Sequence, residues 1–201
     1  MRLLAIDTSG RACSLALFED DILIAERHEE IGRGHAERII PWIAALPGGG
    51  RADAILVGCG PGSFTGLRVG IAAARALGLG WGVPVHGFGS LGLIAASVEG
   101  VEPVQVAIEG GHGEVFVQCF TTGPFSILSD IQSLTPDAAA EQLAGDTIYG
   151  SGAACVVAAK GSGKAYAAEA RAALVLSLPE ASRNLCPSPI YGRAPDAKPM
   201  P

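Results

Sequence analysis

A glycine-rich loop that leads into a helix is the segment best suited to chemistry. Residues 60–68 run Gly-Pro-Gly-Ser-Phe-Thr-Gly-Leu-Arg and follow the apolar stretch Ala54 to Gly58. A strand that passes through glycines into a helix directs backbone N–H groups and the positive end of a helix dipole at one place, where an anion can bind. Gly62 and Ser63 are the candidate phosphate contacts. The loop lacks the Gly-Lys-Ser/Thr of a P-loop, and Thr65 replaces the third glycine of GxGxxG, so a purely structural turn is the alternative.

A second polar turn, Asp7-Thr8-Ser9-Gly10, lies between the apolar segments Leu3 to Ile6 and Cys13 to Phe18. Aspartate-led hairpin turns hold phosphate or a metal-bound water in actin-like and sugar-kinase-like ATPases. Asp7, Thr8 and Ser9 are therefore further candidate phosphate contacts. The alternative is an Asx-turn that only closes the hairpin.

Other catalytic chemistries find little support in the sequence. The four histidines form neither HxxxH nor HExxH, so no metal site is predicted. Ser63 and Ser90 lack the flanking glycines of GxSxG, which argues against a serine hydrolase. Glu109 and Glu114 could form a carboxylate pair across a hairpin, but exposed turn acids are the commoner explanation. The five cysteines are scattered and include no CxxC pair, which predicts reduced and mostly buried thiols.

The composition indicates a globular protein of one large or two small domains. Of its 201 residues, 49% are hydrophobic and 17% are charged, which allows a substantial core. A net charge of −6 argues against direct binding to a nucleic-acid backbone, so we expect any contact with RNA to run through a partner. Asp7 interrupts the first apolar stretch and no run is long enough to cross a bilayer, so we expect a soluble, cytoplasmic protein without a membrane contact.

Local patterns predict two α/β halves joined at Gly100 to Pro103. We expect a first lobe over residues 1–100, a smaller second lobe over 101–186, and an extended, proline-rich tail over 187–201. The first lobe begins with a three-stranded meander, and the second with a hairpin around residues 109–113. The other predicted elements are helices at 35–46, 63–79, 90–98, 136–143, 152–160 and 165–177, and strands at 54–58, 83–86 and 147–149.

Two predicted helices carry faces suited to contact. In the segment His35 to Leu46, apolar residues recur on one helical face. In the segment from Ser63 to about Leu79, small residues fall on neighbouring positions, so another backbone can approach closely. The residues on these two faces are Ala36, Ile39, Ile40 and Ile43 on the first helix, and Gly66, Gly70, Ala73, Ala74 and Leu77 on the second.

Four segments in order resemble the TsaB (YeaZ) family, and a fifth lies near the end of the chain. The first four are Ile6-Asp7-Thr8-Ser9, residues 35–41, residues 60–70 and Gly113-Glu114-Val115-Phe116. The fifth, Pro189-Ile190-Tyr191-Gly192-Arg193, is similar to the family's terminal P-x-Y-x-R. The resemblance covers the first ~120 residues well. One departure is Glu109-Gly110-Gly111, where the family carries Asp-Ala-Arg, so any role of that guanidinium is weakened or relocated here.

The resemblance implies a two-lobed actin-like (ribonuclease H-like) fold with a reduced second lobe. It also implies a non-catalytic subunit that activates TsaD, recruits the ATPase TsaE, and serves threonylcarbamoyl transfer to the adenosine next to the tRNA anticodon. The paired metal-binding histidines of TsaD are missing from residues 86–92. No cofactor is then required, although weak ATP or ADP binding is compatible with this role. The partner interface implied by the family and the two helix faces comprises His35, Ile39, Ile40, Ile43, Leu67, Gly70, Ala73, Ala74 and Leu77.

Two classes of function remain open from the sequence. The first is the scaffold that pairs with TsaD, with a homodimer through the same helices when TsaD is absent. The second is an ATP-binding or ATP-hydrolysing enzyme, or a glycoprotease-like peptidase that acts on TsaD. The second class needs a nucleophile or a metal that the motifs do not supply.

Overall fold

The first lobe is built on a five-stranded mixed sheet. The computed structural model describes residues 1–100 and 103–192 of the chain. Three strands form an antiparallel meander, β1 (Arg2–Asp7), β2 (Ala12–Glu19) and β3 (Ile22–Glu30). Strands β4 (Ala54–Gly58) and β5 (Val85–Phe88) add in parallel beside β1, in the order β3-β2-β1-β4-β5. Because the turn after β1 and the loop after β4 follow neighbouring parallel strands, both lie at the same edge of the sheet.

Two helices cover one face of this sheet. Helix α1 (His35–Ala44) packs on helix α2 (Phe64–Trp81), and α2 packs on β4. Side chains alternate across β1, so Leu4 and Ile6 face these helices while Ala5 faces the other side of the sheet. The helix side of the core also contains Leu15, Ile39, Ile43, Val57 and Ile71.

The second lobe contains a six-stranded sheet. Strands β6 (Val104–Gly111) and β7 (Glu114–Thr122) form an antiparallel hairpin, extended by β8 (Phe125–Ile127) on one side of β7. On the far side of β6, the strands β10 (Thr147–Tyr149) and β11 (Lys164–Tyr166) run in parallel. The short strand β9 (Gln132–Leu134) pairs with β7. Helices α4 (Pro136–Gln142) and α5 (Ala153–Lys160) pack together beside a core of their own.

The two lobes share a central core. Helix α3 (Ser90–Ala96) packs on β6, on β7 and on a 3-10 helix at Ala172–Ser177. Buried residues of α3 and of both sheets meet there, among them Leu3, Phe18, Phe88, Leu91, Val106, Phe116 and Phe120. Burial of this much shared apolar surface ties the lobes to each other.

The chain returns to the first lobe after β11. The N–H of Ala172 donates a hydrogen bond to the hydroxyl of Ser14 on β2, at 2.9 Å. Further along, a bridge joins Leu185 to Gly87 on β5, and the N–H of Ile190 donates to the carbonyl of Cys59. Residues from about 170 onward therefore belong with the first lobe, which corrects the predicted second lobe at its C-terminal end.

The predicted two-lobed α/β fold is confirmed, and most predicted elements form within one or two residues of their expected bounds. The predicted helix at 165–177 is wrong, because that segment holds the end of β11 and the 3-10 helix instead. Strands β8, β9 and β11, each of three residues, were not predicted. The predictions for residues 101–102 of the seam and 193–201 of the tail lie outside the described residues.

Candidate interlobe cleft

A cleft of about 820 Å³ lies between the lobes. The first lobe contributes the β1–β2 turn, the start of α2 and one side of α3, and the second lobe contributes the β6–β7 hairpin. Of the predicted phosphate contacts, Ser9, Gly62 and Ser63 line this cleft. Asp7 and Thr8 are fully buried behind it, so the structure corrects their expected role as direct contacts.

The carboxylate of Asp7 accepts three hydrogen bonds inside the first lobe. Its Oδ1 accepts from the N–H of Ser9 at 3.0 Å and from the hydroxyl of Ser9 at 2.7 Å. Its Oδ2 accepts from the hydroxyl of Ser90, at the start of α3, at 2.7 Å. Burial raises the pKa of Asp7, and the Ser90 and Ser9 hydrogen bonds oppose that rise. Asp7 thus closes the turn, as the Asx-turn alternative expected, and its bond to Ser90 also fastens the turn to α3.

The small-residue face of α2 packs against the turn of its own chain. A β-carbon on Gly66 would overlap the carbonyl oxygen of Thr8, and one on Gly70 would overlap the Thr8 side chain. The Thr8 hydroxyl donates to the carbonyl of Gly66 at 2.7 Å. The close backbone approach predicted from spacing therefore exists, but the backbone that approaches belongs to this chain.

Several donors of the glycine-rich loop are already used. The N–H of Ser63 donates to the carbonyl of Ser9 at 2.7 Å. The Ser63 hydroxyl caps α2 by accepting from the N–H of Gly66 at 3.2 Å. The first bond joins the loop to the β1–β2 turn and the second caps α2, and both favour a structural role of the loop over phosphate binding.

An arginine packs against a pair of aromatic rings at the cleft. The guanidinium of Arg68 lies 3.7 Å from the ring centroid of Phe64, and its Nε donates to the hydroxyl of Tyr191 at 3.1 Å. The rings of Phe64 and Tyr191 are 5.3 Å apart. Sequence motifs pointed to the loop and to residues 189–193 separately, but no pattern indicated that they meet.

The second-lobe side of the cleft carries the Glu109-Gly110-Gly111 departure. Gly111, at the position of the family's arginine, lines the cleft with a backbone φ of 76°. A side chain there would be strained, so this hairpin offers no guanidinium to the cleft. Glu169 also lines the cleft, and burial together with the charges of Glu30 and Asp7 raises its pKa from 4.5 to about 6. No sequence signal had singled out Glu169.

Most of the predicted partner-interface residues lie inside the first lobe. His35, Ile39, Ile43, Leu67, Gly70 and Ala74 are buried, and the His35 ring contacts the carbonyl of Ala12 at 3.3 Å. Ile40 is 47% exposed, while Ala73 and Leu77 are partly buried. The first six residues therefore lie in the interior of this lobe, which corrects their assignment to an accessible face. The interface itself stays a prediction.

Within residues 1–100 and 103–192, no group of three or more His, Cys, Asp and Glu side chains is placed to hold a metal ion. In the same part of the chain, no helix combines the length and the apolar character needed to cross a bilayer.

The chain is similar in sequence and in fold to known proteins. The sequence model of the family described as "TsaD: tRNA N6-adenosine threonylcarbamoyltransferase" matches residues 25–143, more than half of the chain. Escherichia coli TsaB, a tRNA threonylcarbamoyladenosine biosynthesis protein, is 40% identical over 124 residues. That match covers 58% of this chain and 53% of the E. coli protein, so it spans about half of that relative. The chain belongs to the TsaB (YeaZ) family.

Other matches extend over nearly the whole chain. An uncharacterised protein of Mycobacterium tuberculosis H37Rv is 33% identical over 215 aligned positions, covering 98% of this chain and 94% of that protein. The solved structure of YeaZ from Pseudomonas aeruginosa superposes with a TM-score of 0.79 at 27% identity, over 95% of this chain and all of that one. The predicted actin-like, two-lobed fold of the TsaB family is thereby confirmed.

Proposed function

We propose that this chain is a non-catalytic subunit of the machinery that makes threonylcarbamoyladenosine in tRNA. It pairs with TsaD, holds TsaD in its active conformation, and supports recruitment of TsaE. Membership of the TsaB family supports the pathway, since relatives carry that biosynthetic name. Contact with tRNA is indirect in this proposal, because the net charge of −6 disfavours binding to a phosphate backbone.

The observation that carries the pairing proposal is the outer surface of α1 and α2. Residues spaced four apart on α1 are exposed and apolar, and Leu79 on α2 is 87% exposed. Exposed apolar residues on neighbouring helices favour docking of another helical surface. The outward positions, which we call the α1/α2 outer face, are Ala36, Ile40 and Ala44 on α1 and Ala72, Ala76 and Leu79 on α2.

The organisation of the cleft supports a non-catalytic role. Its aspartate is buried and accepts three hydrogen bonds from Ser9 and Ser90. In the glycine-rich loop, the Ser63 N–H is bound to the β1–β2 turn and the Gly66 N–H to the Ser63 hydroxyl. A nucleotide-hydrolysing site needs free donors aimed at the phosphates that react. The cleft retains room for weak ATP or ADP binding without turnover.

Binding to TsaD from the same organism tests the proposal. Purified full-length chain and TsaD are mixed and followed by analytical ultracentrifugation, with this chain alone as the reference. We expect a one-to-one heterodimer, and a homodimer of this chain when TsaD is absent. Two separately sedimenting proteins at micromolar concentration would contradict the proposal. Hydrolysis of ATP or cleavage of TsaD by this chain alone would support the enzyme alternative instead.

A further inference from the structure

Two segments that lie together in the first lobe contain no acidic residue, although the chain has a net charge of −6. The first runs from residue 54 to residue 98 and includes the whole of α2. The second is residues 181–192, in the segment that returns to the first lobe after β11. Their permanently charged side chains are Arg68 and Arg75 on α2, with Arg183 in the returning segment. The two segments together therefore carry only positive charge.

The two arginines of α2 lie on one side of the helix and reach the returning segment. They are seven residues apart, which is about two helical turns or about 10 Å along the axis. Nη2 of Arg75 donates to the hydroxyl of Ser188 at 3.3 Å. Nε of Arg68 donates to the hydroxyl of Tyr191 at 3.1 Å. Helix α2 and residues 188–191 therefore lie side by side, with the guanidinium groups along the line where they meet.

Neither guanidinium forms an ion pair within residues 1–100 and 103–192. Arg68 contacts the rings of Phe64 and Tyr191 and the tyrosine hydroxyl, and Arg75 contacts the serine hydroxyl. Both arginines are exposed, so each keeps N–H donors for a carboxylate from outside the chain. Elsewhere in the described chain, arginines pair with glutamates, as Arg2, Arg38 and Arg171 do.

We propose that Arg68 and Arg75 bind carboxylates of TsaD, so that the docking surface extends from the α1/α2 outer face across α2 to the returning segment. The inference rests on the proposed function and adds the chemistry of the partner surface, which is acidic where it meets this side of α2. The two ion pairs fix the orientation in which TsaD docks, because charged groups at the edge of an apolar contact determine orientation and association rate more than affinity.

The outer face and the two arginines form one continuous surface. Ala72 and Leu79 of the outer face follow Arg68 and Arg75 by four residues each. Residues at that spacing are neighbours on the surface of a helix. A partner helix that packs on Ala72 and Leu79 therefore comes within reach of both guanidinium groups. This continuity favours TsaD as the source of the carboxylates.

The phosphate backbone of RNA fits this surface less well than a protein partner does. Two guanidinium groups about 10 Å apart can contact about two phosphates, whereas strong binding to nucleic acid typically involves about six to ten such contacts. Helix α2 contains no lysine that could add to them. The apolar residues beside the arginines would also stay exposed in an RNA complex, and an exposed apolar surface favours a protein partner.

Calorimetric titration of the full-length chain with TsaD from the same organism, in 0.1 M and in 1 M NaCl, tests the inference. The wild type is compared with Arg68→Glu, Arg75→Glu, Ser188→Ala and Lys164→Glu. Ser188→Ala removes the hydrogen bond of Arg75 but keeps its charge. Lys164→Glu makes the same change in net charge on the exposed strand β11 of the second lobe.

In 0.1 M NaCl we expect each of Arg68→Glu and Arg75→Glu to bind TsaD about tenfold more weakly than wild type, because repulsion replaces attraction. In 1 M NaCl, where the Debye length is about 3 Å, the difference should fall to about threefold or less. Ser188→Ala and Lys164→Glu should bind like the wild type. A charge-reversal variant that binds as tightly as Lys164→Glu, or Ser188→Ala binding as weakly as Arg75→Glu, would overturn the proposal.

The same titrations separate this inference from the proposed function. A wild-type chain that does not bind TsaD contradicts both. A wild-type chain that binds TsaD no more tightly than Arg75→Glu does contradicts the acidic partner surface alone. Fluorescence anisotropy with labelled, unmodified tRNA examines the RNA alternative. Binding of tRNA that is lost in Arg75→Glu, with TsaD affinity unchanged, would overturn the proposal in favour of RNA.

Discussion

The hydroxyl of Thr8 donates a 2.7 Å hydrogen bond to the carbonyl oxygen of Gly66, in the first turn of α2. This bond joins two segments that the sequence presents as separate candidate phosphate loops. It exists because glycine at 66 and at 70 lets α2 lie directly on the β1–β2 turn. The two loops therefore form one packed unit at the edge of the first sheet.

Replacement of Gly66 by alanine should destabilise the protein. Its β-carbon meets the backbone carbonyl of Thr8, which cannot rotate away, so we expect a loss of about 1–3 kcal/mol of unfolding free energy. Gly80→Ala is the matched control, because a β-carbon there meets nothing within 4 Å in the same helix. That control should be neutral or stabilising by up to about 1 kcal/mol. Urea denaturation measures both, and equal stabilities would show that α2 does not need this close contact.

Removal of the Ser90 hydroxyl should weaken the link between α3 and the β1–β2 turn. Ser90→Ala leaves Oδ2 of the buried Asp7 without the donor that it now has at 2.7 Å. A hydrogen bond to a buried charged group contributes about 1.5–3 kcal/mol, so we expect a loss of that size in denaturant unfolding. Ser97→Ala, at the exposed end of the same helix, should cost about 1 kcal/mol or less. A loss for Ser90→Ala no larger than for this control would contradict the assigned role of Asp7.

The pH dependence of stability should carry the signature of Glu169. Its pKa is about 6 in the folded protein against 4.5 in the unfolded chain, so between these values the folded state binds more protons. Stability therefore falls as pH rises from about 4.5 to 6, by at most about 2 kcal/mol from this group. Glu169→Gln should remove this component and leave that of Asp7. Unfolding free energies of both proteins at several pH values give the difference, and parallel curves would contradict the assignment.

The outer face of α1 and α2 should determine binding to TsaD. Ile40→Glu and Leu79→Glu place charges at outward positions, and we expect each to weaken TsaD binding about tenfold or more. Ile127→Glu and Leu128→Glu are matched controls, since these side chains are 51% and 52% exposed in the second lobe. Calorimetric titration with TsaD should find the controls unchanged. Similar losses for all four variants would place the interface elsewhere.

Substitution of Ala74 is unsuitable for the same test. Its side chain is fully buried in the first-lobe core, so a large residue there would unfold the lobe rather than probe the interface. The helical spacing correctly indicated that α2 has a close-packing face. It could not say whether the approaching backbone belongs to this chain or to a partner, because spacing carries no information on tertiary contacts.

The sequence predicted the meander, both long helices and the hairpin. In these segments apolar residues recur at regular spacing, and glycines mark where the elements end. The sequence did not indicate β11, because Lys164-Ala165-Tyr166 is short and its three residues are exposed. It also missed Glu169, which lies in an alanine-rich stretch about 160 positions from the turn that it contacts. Contacts of that kind depend on how the returning segment packs across the lobes, and no local pattern encodes them.

The role as a TsaD partner is tested most directly by reconstituted threonylcarbamoylation of tRNA. TsaD, TsaE, ATP, threonylcarbamoyl-adenylate and unmodified tRNA are incubated with and without this chain, and modified adenosine is measured by mass spectrometry. We predict modification only when the chain is present, and a strong loss with Leu79→Glu but not with Leu128→Glu. Equal modification in the absence of the chain would contradict the proposed function.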